Sequence, residues 1–326
     1  MRAIIHGPSG QIEDMRIAEW EQPRPGPEEV LIRVAAAGVN RADLLQRQGK
    51  YPPPPGASPV LGLEVSGVIE AAGADCRLRS VGEEVCCLLP GGGYAEYVAL
   101  HEELALPIPS GVDLVSAAAI PEAFLTAWQA LVLLGQLEAG DRVLIHAGAS
   151  GVGTAAIQLA RELGAFPLVT ASAGKHGLCM ELGAMTAIDY AQEDFSERAL
   201  RYTAGEGVDL LLDFIGSAYT AQNLRSLAVD GRWVLLGLMG GAVVRELDLG
   251  QMLRKRIHLK ASTLRNRSLE YKIALSAALQ AFAWPHFAEG RLRPVIDSVW
   301  DWAEAAEAHR RMEANLSQGK ILLRVS

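Results

Sequence analysis

Apolar and polar positions change rhythm near residue 140. Ahead of it, strand-like runs alternate with Gly/Pro turns: EEVLIRVAAAGV (28–39), GLEVSGVIEAAG (62–73), VGEEVCCLLPGGG (81–93) and YAEYVAL (94–100). Runs of this kind bounded by turn formers predict a mostly β unit. One short amphipathic stretch, RADLLQRQG (41–49), interrupts it. YPPPPGASP (51–59) must be an extended loop, because four prolines cannot join a helix or a central strand.

Beyond residue 140, apolar runs recur at RVLIHA (142–147), PLVTAS (167–172), AIDY (187–190), VDLLLDFIG (208–216), GRWVLLGLM (231–239) and RIHLKAST (256–263). Helix-like stretches such as TAAIQLARELG (154–164) and HGLCMELGA (176–184) lie between them. Apolar strands alternating with helices imply a parallel sheet covered on both faces. Six of them in this order suit a doubly wound, dinucleotide-binding α/β sheet. The tail (291–326) reads as strand, helix and final strand, with Ala303, Ala306 and Met312 as the small and apolar positions of its helix. It is expected to rejoin the front unit. The division is then 1–121 with 264–326 as one domain, and 122–263 as an inserted Rossmann domain.

Composition narrows the class. Half of the 326 residues are hydrophobic and 21% are charged, as in a soluble globular protein. The formal net charge of −8 disfavours a non-specific nucleic-acid surface. The start, MRAIIHGPSGQIEDM, lacks the long apolar stretch of a secretory signal. Residues 143–160 carry no Asp, Glu, Lys or Arg, and 116–135 hold only Glu122. Glycines interrupt the first and Pro121 the second, so both read as buried core and no membrane span is expected. Cys76, Cys86, Cys87 and Cys179 lack C-x-x-C spacing, which argues against a zinc ribbon and fits reduced thiols in a cytoplasmic protein. No His spacing suggests a metal site or a triad, and His146 reads as a core residue.

The chemistry starts at Gly148-Ala149-Ser150-Gly151-Val152-Gly153, a G-x-x-G-x-G turn between a strand and a helix expected to start near Thr154. Helix N-terminal N–H groups and the helix dipole attract a pyrophosphate, and glycine lets the backbone come close. The Ser150 hydroxyl adds a donor. An acid at the end of the second strand would bind the ribose 2′-OH of NAD. That strand instead ends VTASAGK, with Ser172 and then Lys175, a pairing that suits a 2′-phosphate and so NADPH. Tyr190, closing the third strand, is a further contact near the adenosine. Strand C-terminal ends face the ligand crevice in such sheets, so Ile215, Gly216, Gly237 and Met239 are expected to flank the cofactor.

GVNRADLLQRQGKYPPPPGASPVLGLEVSGVI, AAAIPEAFLTAWQAL and GDRVLIHAGASGVGTAAIQLAR resemble the quinone oxidoreductases of the medium-chain dehydrogenase/reductase superfamily. The likeness is to the branch of the tumour-suppressor-inducible quinone reductase and, more distantly, ζ-crystallin, and it runs along essentially the whole chain. It implies a GroES-like β domain and a homodimer joined through the Rossmann sheet edge near RIHLKAST. It also places Thr126 close to the cofactor. Zinc alcohol dehydrogenases of the superfamily have a Cys ligand where this chain has Asn40, and a His-Glu pair where it has Leu63-Glu64. Asn and Leu cannot replace thiolate and imidazole, so no metal is expected. Without a Lewis acid the acceptor must be electrophilic by itself, as a quinone is. Asn40, Asp43 and Tyr51 are the candidate catalytic residues: Asn40 to hydrogen-bond the acceptor or ribose, Asp43 to orient it or hold local structure, Tyr51 to orient a carbonyl or donate a proton. Glu122, an acid in an apolar run, needs a buried partner. The expected activity is NADPH-dependent quinone reduction. The alternatives are an enoyl-thioester reductase with Tyr51 as proton donor, and a non-catalytic NADPH- or RNA-binding protein.

Overall fold

The computed structural model describes residues 1–325, and the chain divides into two compact units. One holds Met1–Leu125 and the residues from Leu264 onward; the other is Thr126–Thr263.

The discontinuous unit begins with a two-stranded antiparallel ribbon, β1 (Arg2–Ile5) and β2 (Arg16–Glu19). Then follow β3 (Glu29–Val39), helix α1 (Arg41–Arg47), β4 (Glu64–Ala72), β5 (Glu84–Leu88), β6 (Tyr97–His101) and β7 (Ala105–Pro107). Helix α2 (Pro121–Trp128) carries the chain across the unit boundary and continues into a π-helical turn, Gln129–Leu134. Pro121 suits a first helical position, where no N–H is needed. The helical run Ser116–Leu134 is long and apolar enough to cross a membrane by composition, but 72% of its most apolar window is buried inside the protein. It is a core element here.

The second unit contains β8 (Arg142–Ile145), α3 (Gly151–Glu162), β9 (Phe166–Ala171), α4 (His176–Glu181), β10 (Thr186–Asp189), α5 (Phe195–Tyr202), β11 (Val208–Asp213), α6 (Thr220–Ser226), β12 (Leu227–Leu235), α7 (Leu249–Lys255) and β13 (His258–Ala261). Its sheet runs β10-β9-β8-β11-β12-β13, parallel throughout. In order along the chain this is 3-2-1-4-5-6, and the crevice of such a sheet lies beyond the C-terminal ends of its first and fourth strands, β8 and β11. Leu144, Leu168, Leu211 and Trp233 form its core with Phe195.

The chain then returns through α8 (Leu269–Ala288), β14 (Ile296–Asp301), α9 (Ala305–Glu313) and β15 (Lys320–Arg324). The last two strands join the front sheet, whose order is β14-β15-β3-β4-β5-β7 with β6 also on β3. Strand β3 shares one edge between two partners: β6 pairs with 29–33 and β15 with 36–39. Val65 and Val85 share the resulting core with Leu323 and Trp302. Cys86 and Cys87 enter different apolar clusters, as neighbours on a strand do, and all four cysteines are free thiols.

Two sequence expectations need correction, and one element went unforeseen. Helix α3 starts at Gly151, three residues before Thr154, because Ser150 caps it: Ser150 Oγ accepts from Gly153 N at 3.0 Å. The buried face of α9 is Ala305, Ala308, His309 and Met312, so Ala303 and Ala306 are off its inner stripe. The long helix α8 was not visible in the pattern, because apolar residues surround it and the 3.6-residue alternation is weak.

Candidate active site

In the discontinuous unit, four chain segments converge on one buried ion pair. Glu64, at the start of β4, and Lys320, at the start of β15, form an ion pair with Nζ 2.5 Å from Oε1, both almost fully buried. Lys320 Nζ also donates to Val39 O at 3.0 Å and to Asn40 Oδ1 at 2.6 Å. Asn40 Nδ2 donates to Glu64 Oε1 at 2.9 Å and to Gly38 O at 3.3 Å. Glu64 Oε2 accepts from the Glu122 backbone N–H at 2.8 Å, so one carboxylate also satisfies the first turn of α2. Asn40, expected to reach an acceptor, therefore commits both amide protons to the protein.

Asp43 is completely buried. Its oxygens accept from Asn40 N (2.8 Å), Gly62 N (2.9 Å) and the Tyr94 hydroxyl (3.3 Å). Tyr94 in turn meets His309 Nε2 at 3.1 Å. Burial raises the Asp43 pKa to about 6, against the opposing effect of the Asn40 and Gly62 N–H groups. Burial also lowers His309 to about 3, so the imidazole is neutral at physiological pH. These partners give Asp43 a structural role: it fixes the N-terminus of α1 and the turn at Gly62. Tyr51 is half-buried, with its ring 5.3 Å from the guanidinium carbon of Arg265.

In the Rossmann unit, the turn after β8 has the close contacts that demand glycine. A Cβ on Gly153 would lie 2.3 Å from Ala147 O, and one on Gly148 2.6 Å from the Val169 side chain. Gly151 and Val152 open α3, whose free N–H groups face outward from its first turn. Ser150 accepts the capping bond and keeps its own O–H to donate. Asp189 pairs with Ala171 across β10 and β9, so Tyr190 and Ser172 leave adjacent strand ends; Lys175 closes the turn that Ser172 begins. The loops after β11 and β12 are tied together: Met239 N donates to Phe214 O, Gly240 N to Ile215 O and Ser217 N to Gly241 O. This unites Ile215, Gly216, Gly237 and Met239 at one sheet end. Thr126 Oγ1 is enclosed with no partner among the described residues.

A buried network that sequence reading missed holds this sheet end. Asp213 Oδ1 accepts from Ile215 N and Gly216 N, while Oδ2 accepts from Asn223 Nδ2 and Trp233 Nε1. Asn223 Oδ1 lies 2.7 Å from His146 Nε2, and Thr170 Oγ1 lies 2.9 Å from Nδ1. Since Asn223 turns its amide toward Asp213, its carbonyl accepts, which puts the His146 proton on Nε2. Burial lowers the His146 pKa and keeps the ring neutral. The available signal was Asp213 itself, an acid that closes a strand directly after three leucines.

Residues 26–110 match the alcohol dehydrogenase GroES-like domain family, and residues 182–323 match the zinc-binding dehydrogenase family. The synaptic vesicle membrane protein VAT-1 homolog of Rattus norvegicus is 32% identical over 92% of this chain and 78% of its own length. The chain belongs to the medium-chain dehydrogenase/reductase superfamily. A mycocerosic acid synthase-like polyketide synthase of Mycobacterium tuberculosis is 33% identical over the whole chain, which spans only 15% of that protein. Among solved members of the superfamily, an NAD-dependent alcohol dehydrogenase superposes with a TM-score of 0.89 at 31% identity, covering both chains fully. A quinone oxidoreductase of Pseudomonas syringae gives 0.88 at 29% identity with 99% of each chain covered. The CurK enoyl reductase gives 0.88 at 28%, covering 100% of this chain and 99% of its own. A mycobacterial protein complexed with NADPH gives 0.89 at 29%, with both chains fully covered.

Beside the Glu64–Lys320 pair, the acidity of Glu122 is strongly displaced. Part of the residue is exposed, but its carboxyl is enclosed, and the enclosure governs its pKa. Burial raises it from 4.5 to about 8, reinforced by Glu64 and Asp43 and opposed by Lys320 and Arg265. The folded chain thus keeps a proton that the unfolded chain releases, and this contribution to stability is lost as pH rises toward 8. Asp43, at about 6, and His309, neutral when folded but ordinary when unfolded, also titrate in the lower part of the range above pH 6.5, and they do so with or without the Glu122 carboxyl. Glu122→Gln should therefore flatten the fall in Tm between pH 6.5 and 8.5, measured by calorimetry. An unchanged slope would show that Glu122 ionises normally.

Proposed function

We propose that the chain is an NADPH-dependent reductase of quinones that works without zinc. The observation that carries this reading is the Lys320 ammonium held between Glu64 and Asn40. Zinc dehydrogenases of the superfamily place ligands at the Asn40 and Leu63 positions. Here an amide, an aliphatic side chain and a fixed cation stand there, and the carboxylate nearby is already paired. These residues do not fit a zinc ion. The acceptor must then accept hydride without metal polarisation, and a quinone does so because its reduced monoanion is aromatic and needs only water to complete protonation.

The residues of the Rossmann unit fit NADPH. The α3 N-terminus with Gly148, Ser150, Gly151, Val152 and Gly153 suits the pyrophosphate. Ser172 and Lys175 replace the acid that would select NAD and suit the 2′-phosphate, with Tyr190 beside them. Thr126, with its unpartnered hydroxyl, and the joined loops bearing Ile215, Gly216, Gly237 and Met239 complete the cofactor set. When bound, NADPH supplies a hydride from nicotinamide C4. Tyr51 orients the acceptor carbonyl.

Reduction of an enoyl thioester is the second reading, supported by the likeness to polyketide synthases and to an enoyl reductase. That reaction needs a proton at the α-carbon, so Tyr51 becomes essential. NADPH oxidation followed with an ortho-quinone and with a short enoyl-CoA, each repeated with Tyr51→Phe, separates the readings. Quinone turnover surviving within about tenfold supports the first. Enoyl turnover that collapses with the substitution supports the second. Tight NADPH binding with neither turnover would return the non-catalytic reading.

We also propose that two copies pair through β13. Among the described residues this strand pairs with β12 alone, so one edge is open. Leu259 on it is 46% exposed, and Val243 (78%) and Leu253 (80%) lie bare on the segment that leads into it. An open strand edge is self-complementary about a two-fold axis, which favours a second copy as the occupant. Light scattering should give twice 34.9 kDa for the protein and a single chain mass for Leu253→Glu with Leu259→Lys. A monomeric unsubstituted protein would refute the pairing.

A further inference from the structure

Arg265 is the second residue of the chain's return from the Rossmann unit, and only 5% of it is exposed. Each of its three guanidinium nitrogens has an acceptor. Nε donates to Pro90 O at 2.7 Å, one terminal nitrogen to Gln46 Oε1 at 2.6 Å, and the other approaches Tyr51 O at 3.4 Å. Its own carbonyl accepts from Lys272 Nζ at 2.8 Å. Gln46, on α1, donates to Pro59 O at 2.8 Å.

These contacts have one target. The segment 51–59 lies outside every strand and helix, and Pro52, Pro53, Pro54, Pro55 and Pro59 have no N–H to anchor it. Arg265 reaches its first residue directly and its last through Gln46. The guanidinium also lies over the Tyr51 ring at 5.3 Å, within cation–π range. Among the groups that oppose the effect of burial on Arg265, Tyr51 is the largest, ahead of Asp43 and Glu122.

We propose that Arg265 is a positioning residue for the reaction: it fixes the Tyr51 ring and the proline loop so that the phenol meets the acceptor in one orientation. The proposal rests on the reading that Tyr51 serves the acceptor. It does not depend on which acceptor is used. A planar fork that stacks while donating several hydrogen bonds is specific to arginine, so lysine does not replace it.

The test combines a spectroscopic and a kinetic readout on the full chain. With fluorotyrosine placed at position 51, the fluorine resonance should shift or broaden in Arg265→Lys. NADPH affinity, measured by fluorescence titration, should stay within about twofold, since the cofactor residues lie in the other unit. With the better of the ortho-quinone and the enoyl-CoA, kcat should fall no further than it does in Tyr51→Leu, within about tenfold for the quinone and about 10- to 100-fold for the enoyl-CoA. In a Tyr51→Leu background the same substitution should cost almost nothing more, because the ring it positions is gone. An unmoved resonance, or an equal loss of kcat in both backgrounds, overturns the proposal and makes Arg265 a general structural residue. If Arg265→Lys fails to fold, Gln46→Ala removes the link to Pro59 and should move the same resonance; no movement is again a refutation. A chain that turns over neither acceptor contradicts the functional reading, and the resonance still decides whether Arg265 holds the ring.

Discussion

The ion pair between Glu64 and Lys320 is the constraint on which the discontinuous unit is organised. Its members lie 256 positions apart, at the starts of β4 and β15. Two charges taken out of water are tolerated only with excellent geometry and every remaining lone pair and proton satisfied. Asn40, Val39 O and the first turn of α2 provide that satisfaction. The pair thereby fixes four segments against one another. Losing either partner would strand a buried charge, at a cost of about 3–5 kcal/mol. Asp43 extends the same order through Gly62, Tyr94 and His309 to α9.

The Rossmann unit solves a similar problem with neutral groups around one acid. Asp213 closes β11 and takes four donors, two of them from the loop that follows it. His146, at the end of β8, joins through Asn223. Strand ends that border the crevice are thus rigid before any cofactor arrives, and preorganisation of this kind lowers the cost of binding.

Much of the architecture was legible in the sequence. Six apolar runs and their punctuation gave the parallel sheet, because a strand buried on both faces must be apolar throughout. The glycine turn was legible because its spacing carries a backbone requirement, seen in the contact a Cβ on Gly153 would make. The start of α3 was misplaced because a capping serine within a glycine-rich turn leaves little periodic signal. Asn40 was singled out as standing where zinc dehydrogenases have a ligand, but its partner Lys320 was invisible. Nothing in QGKILL marks a lysine as buried, and only the pairing of β15 with β3 brings it to Asn40. Arg265 was hidden for the same reason, with its contacts more than 170 positions away in sequence. Local pattern reports what a segment must bury; it does not report which distant charge completes it.

The central claim is that an ammonium, and not a metal, occupies the charged centre of this site. The most direct measurement is turnover of purified protein with NADPH and its best acceptor, before and after exhaustive treatment with a zinc chelator, alongside zinc content by mass spectrometry. Unchanged turnover and zinc far below one atom per chain are the expected result. One zinc per chain, with turnover lost on chelation and restored by added zinc, would contradict it.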